Sequence, residues 1–459
     1  MENSDKILDK FLNGGFAMRF SGFNTLLIAA ILLLFSGCAP AVNTQQLQVG
    51  VAQKDSMDKT LQDMEKDTGS QGEMWYWLNL GTMYQTKHDY PKSIAAFNKA
   101  EGILDEYESR AEVSFRNVGS GIGSTLFSKG AETYYAKGYE RTLMHTLNGL
   151  NYAMMGNFES ATVEMRKMEK RQEFWLKESE AKLTEAQSKK SEMQGNPNTD
   201  QVPVGYSMAQ LLQDDEVRSM ANNYQDAFSY SISAIVSKTS NDLDYSQISR
   251  KRAAALSPET EKLFEDKLPK DSVDVYVVVL SGQAPSQSIE KLRLPFPGLG
   301  YVVLDLPSLK QSREDISGAS VYGSAGEVQA PRLLKTDKMA YKTLKDELPL
   351  ELTKSIVRAT SKGVLTKQAS DRGGLLAGLG AAILMDITAT TMEKSYRNWE
   401  MLPNSGFLSK ISAKRGETVS IRFGGREESV IIPQETKNGS LVLISYLSSN
   451  NVGVDHVEY

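Results

Sequence analysis

The chain has 459 residues, enough for two or three domains that each bury a core. Its formal net charge is -5, with 40% apolar and 24% charged residues, the balance of a soluble globular protein without the clustered basic surface of a nucleic-acid binder. Three histidines (His88, His145 and His456) and one cysteine leave little for a metal cage, so neither metal nor cofactor is expected.

Residues 26–35 form an apolar run that ends in Ser36, Gly37 and Cys38. It is short of the roughly 20 residues that span a membrane. Small residues before a cysteine after such a run resemble the lipobox of bacterial lipoproteins, although Phe35 stands where leucine is commonest. The resemblance implies a signal peptide over 1–37, cleavage before Cys38, and lipidation of that cysteine, palmitate included. Glu2, Asp5 and Asp9 precede it, whereas a start at Met18 followed by Arg19 reads as a conventional signal. Ala39 stands where an aspartate marks inner-membrane retention, so the implied address is the outer membrane, facing the periplasm. With its one cysteine lipidated, the mature chain forms no disulfide.

Residues 38–72 read as a polar tether and a leading helix. Residues 73–190 carry the pattern that organises the helical half. Trp77, Leu80, Gly81, Tyr84, Tyr90, Phe97 and Ala100 set large against small residues at helical spacing, with a turn at Lys87, His88 and Asp89. Gly149, Tyr152, Phe158 and Ala161 repeat the offsets 68 residues later, twice the 34-residue period of tetratricopeptide (TPR) repeats. This resembles a TPR array, in which the glycines let paired helices approach and the aromatic residues fill the gap. Between the copies, Gly119, Gly121, Gly123 and Gly130 interrupt the register, and Phe115 stands where a glycine belongs. After Asn157 a long helix runs to about 190, with Val163, Met165, Met168, Trp175, Leu176 and Leu183 sparse among charges. The TPR resemblance places a partner groove on Trp75, Leu78, Thr82, Gln85 and Thr86 of the first unit, and on Leu143, Thr146, Leu150, Ala153 and Met154 of the second.

Residues 191–268 read as a linker followed by helices. From 269 to 459 the pattern becomes α+β. Strands are expected at 273–280, 301–306, 419–423, 429–432 and 441–447, with a helix over 337–367 that Pro349 should kink or break. The predicted fold class is therefore α+β: an N-terminal TPR-like α-helical array followed by an α+β domain with a mostly antiparallel sheet.

Several motifs read as structure. The glycine-rich 119–124 lacks the lysine and the preceding strand of a phosphate loop. Tyr322 to Gly326 lacks nucleophile-elbow spacing and reads as a turn. His88 and His145 read as surface or packing residues, and His456 sits at a terminus where fraying is expected. Glu140 and Arg141, with Glu164 and Arg166, read as solvated faces, a charged inner network being the alternative. Gly374 and Gly378 lie in an apolar run, 373–385, that reads as a buried helix; an oligomer face or a membrane contact is the other reading.

The lipobox, the helical pairs, the block from Tyr139 to Tyr152, the run from Val163 to Lys167 and the segment from Val275 to Pro297 together resemble a family of bacterial outer-membrane lipoproteins with TPR-like repeats. That family brings no established activity. Some members are encoded beside activators of penicillin-binding proteins, so the resemblance implies a role in cell-envelope assembly. The expectation is a non-enzymatic scaffold, held at the membrane through lipidated Cys38, that binds an envelope protein and no nucleic acid. Alternatives are an oligomeric component of an assembly or export machine and, further off, an enzyme acting on wall polymer or polysaccharide.

Overall fold

The computed structural model describes residues 47, 50–67, 70–116, 134–192, 201–265, 271–296, 300–311, 315–356 and 397–459. The leader, Cys38 and the runs at 119–124 and 373–385 lie outside the described residues.

Helix α1 (Lys54–Lys66) leads into three helical hairpins: α2 (Met74–Thr86) with α3 (Tyr90–Arg116), α4 (Gly138–Met154) with α5 (Phe158–Glu192), and α8 (Ala227–Thr239) with α9 (Leu243–Leu256). Two short helices, α6 (Ala209–Leu212) and α7 (Asp215–Ser219), precede the third.

The three hairpins share one turn. Each first helix ends on a residue in the left-handed region: His88 at φ 62°, Gly156 at φ 75° and Asn241 at φ 64°. The next residue, Asp89, Asn157 or Asp242, donates its backbone N–H to the carbonyl of Tyr84, Tyr152 or Ser237, at 2.9, 2.9 and 2.8 Å. Its side chain then caps the second helix by accepting from the backbone N–H of Lys92, Ser160 or Tyr245. The glycine expectation holds in the first two hairpins. A Cβ on Gly81 would fall 2.7 Å from the Phe97 ring, and one on Gly149 2.3 Å from Met165 Cε. The third hairpin repeats a further contact of the first: Ser246 Oγ donates to the Ala234 carbonyl as Ser93 Oγ does to that of Gly81, both at 2.7 Å. Helix α4 packs on both α2 and α3, and α8 on both α4 and α5, so the hairpins stack in chain order.

The region after residue 271 is α+β and mostly antiparallel. A five-stranded sheet has the order β11-β10-β1-β7-β6: β11 (Asn451–Glu458), β10 (Gly439–Ser448), β1 (Ser272–Ser281), β7 (Ser405–Lys414) and β6 (Arg332–Lys335). Only β1 and β10 run parallel in it. A four-stranded sheet has β5 (Gly326–Ala330), β4 (Ala319–Gly323), β8 (Thr418–Phe423) and β9 (Arg426–Ile431), and β2 (Ser286–Phe296) pairs with β3 (Gly300–Lys310) alone. Alternation along β1 builds three layers. Val273, Val275, Val277 and Val279 face the four-stranded sheet, packing with Val321, Ile421 and Phe423. Tyr276, Val278 and Leu280 face the helices and share one core with Trp75, Leu143, Leu150 and Phe228.

Four expectations are corrected. His456 does not fray: it pairs with Val442 in β11. The helix α10, over 336–356, continues through Pro349. In the middle unit, α3 stays helical to Arg116. Strands β2, β4, β5, β6, β7 and β11 add to those expected.

Candidate functional site

In the TPR reading, the first helices of the hairpins, α2 and α4, line the groove. All ten expected groove residues are buried. At α2 and the start of α4 the cover is the chain itself, the segment that leads from 397 into β7. Trp399 is fully buried, donates from Nε1 to Thr82 Oγ1 at 2.8 Å, and meets the Phe97 ring edge-on at 5.6 Å. Trp75 Nε1 and Asn79 Nδ2 donate to Glu400 Oε2, and Asn79 Oδ1 accepts from the Met401 backbone N–H at 2.9 Å. Glu140 Oε1 accepts from the backbone N–H of Trp399 at 2.9 Å. Arg397 lies over the Trp75 ring at 4.6 Å and pairs with Glu73. The groove thus holds a turn, closed by the Leu402 N–H on the Trp399 carbonyl at 3.1 Å, through its backbone and its side chains.

The expected groove residues divide by what they touch. Trp75 and Thr82 hold the segment. Gln85 instead joins hairpins, donating to the Leu147 carbonyl at 2.8 Å and to Asn151 Oδ1 at 2.7 Å. Thr146 Oγ1 joins the second hairpin to the third through Ser229 Oγ at 2.9 Å. Of the packing residues, Leu80, Tyr84, Tyr90, Phe97, Ala100, Phe158 and Ala161 are buried, while Trp77 and Tyr152 are half-buried against the core.

Two carboxyls in the groove are perturbed. Burial pushes Glu400 up to about 8, against the hydrogen bonds from Trp75 and Asn79 and helped by the nearby Glu140. One of its oxygens, Oε1, has no hydrogen-bond partner. Glu140 is likewise raised by burial, although two backbone N–H groups donate to it.

Behind the groove, α3, α4 and α5 enclose a ladder of charges. Arg141 is buried, pairs with Glu178 at 2.8 Å and Glu108 at 3.2 Å, and lies over the Trp175 ring at 5.0 Å. Arg171 pairs with Glu108 and Asp105, both at 2.5 Å. Lys167 bridges Glu101 and Glu164, each at 2.9 Å. Burial opposes the charge on Glu178, but Arg141 and then Lys182 outweigh it and hold the carboxyl well below the usual carboxylate range. The solvated-face reading of Glu140, Arg141 and Glu164 is therefore corrected: all three are buried, Arg141 and Glu164 paired within the network, Glu140 held by the backbone N–H groups of Lys137 and Trp399. Arg166 alone stays outside, paired with Asp242 at the surface.

Glu101, His145 and Glu164 bring ligand atoms within 4.8 Å of one another. A cation is already there, the Lys167 ammonium. His145 Nδ1 lies 2.7 Å from Glu164, and Arg171 Nε donates to His145 Nε2 at 3.4 Å. Metal ligation through Nδ1 would move the ring proton to Nε2, against that Arg171 N–H. The trio does not fit a metal.

Among the described residues, no helix is long and apolar enough to cross a membrane. Comparison with family models, curated proteins and solved structures finds no match.

Proposed function

We propose that the chain is a lipid-anchored periplasmic scaffold of the TPR-like kind, held at the outer membrane through Cys38, whose stacked hairpins bind a protein partner in cell-envelope assembly. The observation that carries this reading is the turn shared by three stacked hairpins, the first two 68 residues apart. The lipobox resemblance supplies the address, and two or more acyl chains give stable anchoring where one is marginal. A binding role, not an enzymatic one, suits a charge network whose carboxylates Glu108, Glu164 and Glu178 are each engaged by basic side chains.

The partner surface moves from the first helices to the second. At α2 and the start of α4 the groove face is taken by residues 397–402, and the remaining expected groove residues are buried, whereas Val163, Leu176 and Leu183 on α5 and Ile248 on α9 are exposed. The test is affinity capture of the full-length protein from its native envelope, beside Cys38→Ser and Leu176→Asp/Leu183→Asp variants. A defined envelope protein retained by wild type and lost from the α5 variant supports the reading. Equal capture by both sinks it.

A further inference from the structure

Away from the groove, a cleft of about 540 Å³ opens where α7, the 3-10 turn Pro258–Phe264, the β5–β6 connection and β7 converge. That is the size of small-molecule sites, about 300–1,000 Å³. The charge of its wall runs against that of the chain. Lys262, Arg332, Lys335 and Lys410 line it with only Glu216 and Glu259 opposed, in a protein of net charge -5.

The cations are unequally matched. Lys335 pairs with Glu216, which Lys338 also approaches. Lys410, its side chain 8% exposed, donates to the Glu265 carbonyl; the carboxylate beside it, Asp274, brings Oδ1 no closer than 3.4 Å and makes no hydrogen bond from that atom. Arg332 spends one terminal nitrogen on Asp337 and the Asn404 carbonyl, with Asp315 3.9 Å away, while its Nε has no partner. Ser409 Oγ, in the same wall, has none either. Lys262 is exposed. The wall therefore keeps two buried donors without acceptors, Arg332 Nε and Ser409 Oγ, and such donors are costly.

We propose that this cleft binds a small ligand through a carboxylate or phosphate group, with Lys410 and Arg332 holding the oxyanion and Lys262 steering it in. An anion there would give Lys410 a close charged partner beside the neutral Glu265 carbonyl it already holds, Asp274 standing 3.4 Å away. Peptide and nucleotide sources share this chemistry, so the proposal concerns the oxyanion.

The experiment titrates the full-length protein with sodium malonate, sodium phosphate, or sodium chloride at matched ionic strength, following the methyl resonances of Val328 and Leu263 in the wall. Saturable shifts with malonate or phosphate and none with chloride are expected, and the tighter anion identifies the group. Lys262→Glu, on an exposed side chain, should weaken binding at least about tenfold, the loss of one charged contact. Lys410→Met should abolish it; if that variant fails to fold, Lys262→Glu still decides. Shifts that track chloride equally, no shift at all, or binding that Lys262→Glu leaves unchanged would overturn the proposal.

Discussion

Glu400→Gln isolates the energetic consequence of filling a helical groove with an acid. The side chain is 1% exposed, and burial lifts its carboxyl from 4.5 to about 8. The folded state thus keeps a proton that the unfolded chain releases. The group's contribution to stability is complete below pH 4.5 and is lost as pH rises through the interval to about 8. Each unit of difference is worth about 1.4 kcal/mol, so some 3 kcal/mol is lost by pH 7 and about 4 by pH 8. Glutamine keeps the carbonyl that accepts from Trp75 and Asn79 but cannot ionise. Urea unfolding of both proteins at pH 4.5, 6, 7 and 8 should show equal stability at the lowest pH. The variant should be more stable by about 3 kcal/mol at pH 7, the gap growing to pH 8. Every other titrating group is common to both chains and cancels. Parallel pH profiles would refute the assignment of a buried, protonated Glu400.

The two glycines of the repeat should differ in tolerance. Gly81→Ala meets the rigid Phe97 ring and should destabilise by about 1–3 kcal/mol, whereas Gly149→Ala meets the mobile end of Met165 and should lose under about 1 kcal/mol, both read from urea midpoints. Trp399→Ala, emptying the groove of its largest side chain, should destabilise by about 3–5 kcal/mol and raise binding of a hydrophobic dye. Glu178→Gln leaves Arg141 without its closest partner and should remove about 3–5 kcal/mol at neutral pH. Because the folded carboxyl is held below its unfolded value, that difference should shrink as acid protonates the wild type, and a constant difference would count against the ion pair.

Much of the helical half was legible because its signals are local. Gly81 makes room for Phe97 and Gly149 for Met165, in place of the expected aromatic, and Asp89 and Asn157 cap the returning helices, all within a few turns of chain. The third hairpin escaped because Asn241 follows Gly156 by 85 residues, which is no multiple of the repeat, and because Ala234 and Ser237 replace the glycine and the aromatic. Its Asn-Asp turn at Asn241 and Asp242 was the available signal. Strands β1, β8 and β10 showed in β-branched runs, while β7 (SGFLSKISAK) and β2 (SQSIEKLRLPF) carry polar residues at every second or third position and take their register from neighbours distant in sequence. The filled groove was illegible for the same reason. Trp75 and Glu400 lie 325 residues apart, and no local pattern announces their hydrogen bond.

That long-range contact bears on where the proposed partner would bind. In an open array each repeat touches only its neighbours, and the inner face stays free for a ligand. Here Trp399, Met401 and Leu402 are all fully buried against or beside that face, and removing each from apolar surroundings costs about 1.5–3 kcal/mol. Displacing the three therefore costs about 5–9 kcal/mol before the backbone hydrogen bonds to Asn79 and Glu140 are counted. A competitor for the groove would forfeit roughly three to six orders of magnitude in affinity, at about 1.4 kcal/mol for each factor of ten. The segment also continues directly into β7, an interior strand paired along its length with β1, so it cannot swing away without opening the five-stranded sheet. A ligand on the outer helices α5 and α9 meets neither obstacle, and Leu176, Leu183 and Ile248 already stand exposed there.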